Sequence, residues 1–487
     1  MVNSAAKKLE KELIEIVEVP KDDINWSTVS LSDVLSKGKR LEASVYDVEC
    51  KHARDLVKKS IYGYDEINID KDLIDCYTRP RFKRIWLNKS EYPIYQPTSM
   101  LDIYPQNDGY ISELTETNIE SLRVLEGQVL ITCSGTIGKV SFVSKTLNRK
   151  IFSHDLLRIR FKNEHDNGFF YTFLKTSVGK SILKSNKYGS VISHIEAEHI
   201  NEVLLPKAPL NLKKKIHSLI LQSYGKRDES NKLIDEATKI MIDELELPPI
   251  EELKKEAFSY SKDINSFSTK LSDLNGRLEG NYHLPLVEVI EKYSSKNANL
   301  IKLNSEKITE KIILPGRFKR VYVEKGNGKI FLGGKEIGQL NPENKKYLSL
   351  THHSERIKNE LSIIKNMVLV TCSGTIGRVS LVPEYWNNWT VNQHVMRILS
   401  KEPYYSLIFV WLNSEYGKEL VLRQKYGSVV DEITDKQLGD VVIPIFKDNK
   451  INLSILNLID EANELRSQAY KQEQEAISIM NKEVLGL

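Results

Sequence analysis

The chain has 487 residues, 40% of them hydrophobic and 28% charged, with 70 Lys and Arg against 66 Asp and Glu. This balance excludes a disordered or fibrous chain and leaves enough apolar surface for about two to four domains. A formal net charge of +4 over this length neither demands nor excludes nucleic acid, so local clusters decide.

Four cysteines, Cys50, Cys76, Cys133 and Cys372, form no C-x-x-C pair. That argues against a disulfide framework or a zinc site and fits a reducing cytoplasm. The stretch MVNSAAKKLEKELIEIVEVP has no long apolar core, so it does not read as a signal peptide. No window approaches 18 apolar residues, so no membrane span is expected. Residues 1–24 are expected to be a helical segment, similar in character to the later stretch LPPIEELKKEAFSYSKDINSF.

Residues 25–208 read as a β-rich domain. RPRFKR at 79–84 sets Arg79, Arg81, Lys83 and Arg84 around one Phe. In extended chain Arg81 and Lys83 share one face, and Phe82 and Arg84 the other. Cations beside an aromatic suit phosphate and groove contact; the same pattern suits an edge strand blunted by charge. VLITCSGTIGKVSFV then reads as strand, tight turn, strand. Gly135 suits a position with φ > 0, and Gly138 a bulge or close backbone approach. The glycines serve the turn; the hydroxyls of Ser134 and Thr136, with Lys139, are candidates to approach a phosphate from its tip. KYGSV at 187–191 adds Lys187 and Ser190.

Sites for other chemistry fail on spacing. In GTIGK the residue five before Gly138 is Cys133, and Val140 follows Lys139, so no phosphate loop is present. His194 and His199 of HIEAEH lie five apart, not four as in H-E-x-x-H, and read as a solvated polar face. GGKEIG at 333–338 is not a dinucleotide fingerprint, and Leu-Pro-Pro-Ile at 247–250 is not the form used by amino-methyltransferases. No cofactor or metal site is therefore expected.

Residues 209–246 carry apolar positions, Ile216, Leu219, Leu233, Ala237 and Ile240 among them, near three-to-four spacing. They predict one helix of roughly 35 residues, about 50 Å long. Pro248-Pro249 stops it, and residues 247–262 form a linker.

The pattern then returns over 263–448. TCSGTIGKVSFV at 132–143 reappears as TCSGTIGRVSLV at 371–382, and RFKR at 81–84 reappears at 317–320. KYGSV returns at 425–429, and Leu157-Arg158-Ile159 lines up with Met396-Arg397-Ile398. All matches keep their order at offsets of 236 to 240, so the chain is a tandem duplication whose units are whole domains. The second set of candidates is Arg317, Lys319, Arg320, Ser373, Thr375, Arg378, Lys425 and Ser428. Residues 449–487 predict a second long helix with Leu453, Leu456, Ile459, Ala462, Leu465, Ala469, Ala476 and Ile479 on its stripe. A stripe that long needs a covering partner, and the duplicate helix supplies one, giving a pair with pseudo-twofold symmetry. The expected class is α+β.

Two β-rich units, each with a CSGTIG-[KR]-V hairpin and a KYGSV…LP stretch before a long helix, resemble the specificity subunit of Type I restriction–modification systems, which defend against foreign DNA. The resemblance covers about residue 25 to 487 and rests on order and duplication. It implies two target-recognition domains, each reading one half of a split double-stranded DNA sequence. The long helices would pack as an antiparallel coiled-coil spacer of fixed length. Two methyltransferase subunits carrying S-adenosylmethionine would dock there, and ATP-dependent restriction subunits would join through the complex. The subunit itself would be non-catalytic. Residues 91–112 and 328–349 differ most between the copies and are expected to help set sequence preference. Gln96, Tyr104, Gln106 and Asn107 are candidates in the first, and Lys335, Glu336, Gln339 and Asn341 in the second. A metal-dependent nuclease would instead need a carboxylate cluster shared by both units, and none can be assembled. A protein scaffold would show no salt-dependent DNA binding.

Overall fold

The computed structural model describes residues 28–36, 46–185, 194–261, 264–274, 276–343 and 345–487. The expected segment 1–24 and the first KYGSV stretch, with Lys187 and Ser190, lie outside the described residues.

Among the described residues, ten strands build the first unit: β1 Tyr64–Glu66, β2 Leu73–Tyr77, β3 Trp86–Leu87, β4 Pro93–Tyr95, β5 Gly109–Ile111, β6 Val129–Thr132, β7 Val140–Phe142, β8 Ile151–Phe152, β9 Leu156–Phe161 and β10 Leu204–Pro206. Beyond a two-stranded hairpin of Ser259–Ser261 with Ile264–Ser266, the described residues of the second unit form ten matching strands: β11 Ala298–Lys302, β12 Thr309–Ile313, β13 Tyr322–Val323, β14 Gly328–Leu332, β15 Lys346–Ser349, β16 Val368–Thr371, β17 Val379–Leu381, β18 Thr390–Val391, β19 Val395–Ser400 and β20 Val442–Phe446. Sheet orders β2-β9-β6-β7, β3-β5-β4-β8 and β1-β10 become β12-β19-β16-β17, β13-β15-β14-β18 and β11-β20. The second unit repeats the first strand for strand, including the parallel pairs β4–β8 and β14–β18.

Helices α1 (Val48–Lys58), α2 (Glu164–Lys175) and α3 (Ser177–Ser185) flank the first unit, before the long α4 (Leu210–Glu244). Their counterparts are α5 (Pro285–Asn297), α6 (Tyr405–Asn413), α7 (Glu415–Arg423) and the long α8 (Asn449–Ile479). The repeated hairpin is β6–β7 and β16–β17, with wholly buried first strands because both faces are covered. Gly135 and Gly138 take φ of 66° and 79°, and Gly374 and Gly377 take 74° and 80°, which a side chain on Cβ disfavours. Arg158 and Arg397 lie at equivalent places and are fully buried. Arg158 donates to the carbonyls of Leu156 (3.0 Å), Leu122 (3.1 Å) and Phe152 (3.4 Å). Arg397 donates to those of Leu361 (3.3 Å), Val395 (3.2 Å) and Val391. Burial pushes their guanidinium pKa values down to about 10 and about 9. Carbonyl dipoles, not a carboxylate, hold these cations between the two four-stranded sheets of each unit.

The long helices run antiparallel. Gln222 meets Gln472 (2.9 Å), Lys226 meets Gln468, and Ser230 meets Arg466 (3.3 Å). The expected apolar stripe is only partly correct: Ile216, Leu233, Ala237, Ile459, Ala462, Ala469, Ala476 and Ile479 are buried, but Leu453 is 43% exposed. The middle of the pair is polar, with Ser223, Asn231, Arg466, Ser467 and Glu473 all buried. The apolar ends go elsewhere. Leu233, Ile234, Ala237 and Met241 of α4 enter the core of the second unit. Ala476 and Ile479 of α8, with Met480, Val484 and Leu485 beyond it, enter the core of the first. Each long helix starts in its own unit and completes the other.

Candidate nucleic-acid interface

RPRFKR and GRFKR lie outside regular structure and lead into β3 and β13, each an edge strand of a four-stranded sheet. The expected alternation holds: Arg81, Lys83, Arg317 and Lys319 are exposed, while Phe82, Arg84, Phe318 and Arg320 are half-buried. The half-buried members form cation–aromatic ladders. The Arg84 guanidinium sits 5.6 Å from the Phe82 ring and 5.9 Å from the Trp86 ring. Arg320 lies 5.7 Å from Phe331, and Arg356 lies 4.9 Å from Phe318. Arg79 is turned inward, donating to the Ser121 carbonyl at 2.7 Å and covering Tyr77.

The repeated motifs converge. In the second unit Glu432 Oε1 accepts from Arg317 Nη2 (3.1 Å) and from Ser373 Oγ (3.3 Å). Its backbone pairs with Tyr426 of the KYGSV stretch. RFKR, hairpin and KYGSV therefore surround one carboxylate. In the first unit His194 holds the position of Glu432, bridging Ser134 through the backbone. His199 Nδ1 accepts from the Glu196 N–H at 3.1 Å and caps a short helical turn. Thr136, Thr375 and Ser428 are exposed at the tips, and Lys425 pairs with Asp431 at 3.2 Å.

Two candidates are placed elsewhere. Lys139 and Arg378, at the equivalent ends of the two hairpins, both face Asp102. Arg378 Nη1 reaches Asp102 Oδ2 at 3.4 Å and the Lys335 carbonyl at 3.3 Å, so it lies between the units and not beside RFKR. The stretches expected to carry sequence preference are also largely committed. Tyr104 donates to Asp235 (2.9 Å) on α4, and Asn341 donates to Glu473 (2.9 Å) on α8. Gln339 is 8% exposed, and Glu336 accepts from the Gly333 N–H at 3.0 Å. Gln96 is half-buried, while Gln106, Asn107 and Lys335 are exposed.

Sequence reading missed two features. Trp86 is 50% exposed and Tyr322 is 42% exposed, each two residues past RFKR. The signal was there: the repeat extends to R-F-K-R-[IV]-[WY]. At the base of each hairpin, the N–H of Cys133 bonds the Asp155 carbonyl (3.3 Å) and that of Cys372 bonds the His394 carbonyl (3.0 Å). This matches His154-Asp155 with Gln393-His394. His154 Nε2 lies 3.3 Å from Asp155 Oδ1, and its ring packs on Phe82. Gln393 accepts from Arg320 at 2.9 Å and contacts His394 at 3.1 Å. Burial first, then Arg84 and Arg81, hold the His154 pKa below the usual histidine range against the opposing pull of Asp155. Burial with Arg320 and Arg317 does the same for His394. Both imidazoles are therefore neutral near pH 7, each able to donate and accept. Within a shared frame of cations, these pairs differ in chemistry between the units.

Among the described residues, no group of three or more His, Cys, Asp or Glu is gathered as a metal site, and no helix is long and apolar enough to cross a membrane.

The family described as Type I restriction modification DNA specificity domain matches the chain twice, over residues 71–239 and 321–474. Among solved structures, the chain is similar to the S subunit of a Type-I restriction-modification system from M. genitalium, at 13% identity and a TM-score of 0.28, over 88% of this chain and 96% of that one. It is also similar to the HsdS subunit from Thermoanaerobacter tengcongensis, at 14% identity and a TM-score of 0.26, over 84% of this chain and 95% of that one. A third similar chain, from a type I R-M system solved for its complex assembly and conformational transition, shares 13% identity at a TM-score of 0.27, over 83% and 98% of the two chains. No curated protein matches. With two segments that together span more than half of its length, the chain belongs to the Type I restriction–modification DNA specificity family and carries that domain in tandem.

Proposed function

We propose that this chain is the sequence-reading subunit of a cytoplasmic Type I restriction–modification complex and that each unit reads one half of a split double-stranded DNA target. The observation that carries the reading is the repeated frame of exposed cations, Arg81 and Lys83 in one unit and Arg317 and Lys319 in the other. Each frame leads into a half-exposed aromatic, Trp86 or Tyr322, and in the second unit Arg317 shares Glu432 with Ser373 of the hairpin. Cations on an extended segment contact phosphates and set position; base edges supply the sequence information. Pseudo-twofold symmetry suits the approximate dyad of a duplex backbone. Different side chains at one place in the two frames, His154-Asp155 and Gln393-His394, support two unlike half-sites.

The chain itself performs no chemistry in this reading. Two methyltransferase subunits bring S-adenosylmethionine, and ATP-dependent restriction subunits join the assembly. The test is DNA selection with the chain assembled with its methyltransferase. The expected product is a two-part motif with unlike halves and one gap. An intact complex that enriches no sequence sinks sequence recognition, and binding insensitive to salt sinks DNA contact altogether.

A further inference from the structure

The units touch one another directly, as well as through the helices. Asp102 and Gln339 are equivalent residues: the N–H of Asp102 bonds the Ser99 carbonyl (3.2 Å), as that of Gln339 bonds the Glu336 carbonyl (3.0 Å). These two residues pair with each other in an antiparallel bridge, and the Ile103 N–H donates to the Gly338 carbonyl at 2.9 Å. Pairing between equivalent positions places this contact on the pseudo-twofold axis. Arg378 of the second unit then reaches Asp102 of the first. Lys175, at the end of α2, bonds Glu343 of the second unit at 2.7 Å, with both side chains only 5% exposed. Glu473 on α8 gathers the rest: it accepts from Tyr171 of the first unit, from Asn341 of the second (2.9 Å), and pairs with Arg227 of α4 (3.3 Å).

An antiparallel helix pair fixes the distance between its ends. It does not fix how far a unit rolls about the helix that carries it, because apolar contact is non-directional. Charged hydrogen bonds are directional, and a buried ion pair adds little net stability over apolar residues of the same size. On DNA a shift of one base pair moves a half-site by about 3.4 Å and about 34°. Holding one gap therefore needs control of rotation as well as length.

We propose that the buried junction on the pseudo-twofold axis, built by Asp102–Gln339, Lys175–Glu343 and the Glu473 hub, sets the gap that the chain accepts between its half-sites. The inference rests on the reading that each unit recognises one half-site. The helices set the span, and the junction sets the angle at which the two frames of cations meet one duplex.

The experiment uses the intact complex and a DNA library in which the gap varies base pair by base pair. Wild type is expected to prefer one gap over its neighbours by about tenfold or more. The Lys175→Met/Glu343→Gln double variant, which keeps side-chain volume, is expected to bring neighbouring gaps within about threefold while enriching the same two half-sites. Glu473→Gln is the second variant, and a cooperative melting transition establishes that each is folded. A folded variant that keeps the single gap at the wild-type preference overturns the inference and leaves the function standing. A wild-type complex that enriches no two-part target removes the function and this inference with it.

Discussion

At the residue scale, side chains of one type do different work according to what faces them. Arg81, Lys83, Arg317 and Lys319 are exposed, whereas Arg158 and Arg397 are buried and donate to backbone carbonyls. Under the proposed function, the exposed set is the one placed to displace counterions from DNA. Replacing Arg81 and Lys83 by Ala is expected to weaken binding to all sequences and to lower the slope of log affinity against log salt by about 1 per lost phosphate contact. Titration of binding between low and moderate salt checks this. The pair His154-Asp155 belongs to the opposite class. His154→Gln with Asp155→His, which copies the second unit, is expected to change the first half-site and leave the second, read by DNA selection. Asp102 tests the junction by pH. Burial raises its pKa from 3.8 to about 6, with Arg378 and Lys139 pulling the other way. The unfolded carboxyl loses its proton near pH 4 while the folded one keeps it to about 6. Stability therefore falls as pH rises through that window and stays lower above it. Asp102→Asn is expected to raise the stability by about 1–3 kcal/mol at pH 7.5 and by little at pH 4, read from urea unfolding at the two pH values.

At the element scale, the long helices do more than separate the units. Leu233, Ile234, Ala237 and Met241 share one buried core with Val368, Val370 and Trp411 of the second unit. Ile479 and Met480 share another with Phe169, Phe173 and Ile182 of the first. Burying side chains of this size contributes about 1.5–3 kcal/mol each. Met241→Ala is therefore expected to lower stability by about 2–5 kcal/mol. Although Met241 follows the first unit in sequence, the loss is expected in the second. Hydrogen exchange in β16 and β19 should quicken more than in β6 and β9. Equal change in both units would count against the exchange of helix ends.

At the scale of the whole molecule, the same exchange makes the halves interdependent. Residues 1–246 alone would leave Leu233, Ile234 and Met241 without their core, and the first unit without Ile479, Met480 and Val484. The two halves expressed together as separate chains, divided at the linker, are expected to co-purify as a 1:1 pair. Each alone should self-associate or aggregate. Glu473 ties the pair at its centre. Burial would raise its pKa, but Arg227 and Lys175, with hydrogen bonds from Tyr171 and Asn341, hold it down to about 2 from 4.5. Its contribution is thus complete above about pH 4.5 and lost as pH falls toward 2.

Much of this plan is legible in residues close together along the chain. The duplication, the two hairpins and the two long helices follow from local pattern: β-branched runs around Gly turns and three-to-four apolar spacing report on neighbours within a few positions. The alternation of RFKR is legible for the same reason, as is the aromatic two residues beyond it. Periodicity states that a helix face is covered and not by what, so the crossing of helix ends between units could not be seen. Nor could the fate of Gln339, Asn341 and Arg378, which look like free surface until their partners are known. Lys175 and Glu343 stand 168 positions apart, and Tyr171 and Glu473 stand 302 apart. Such pairs depend on how two finished units are set against each other, and only the folded molecule decides that, because charge and shape across an interface leave no local period in the chain.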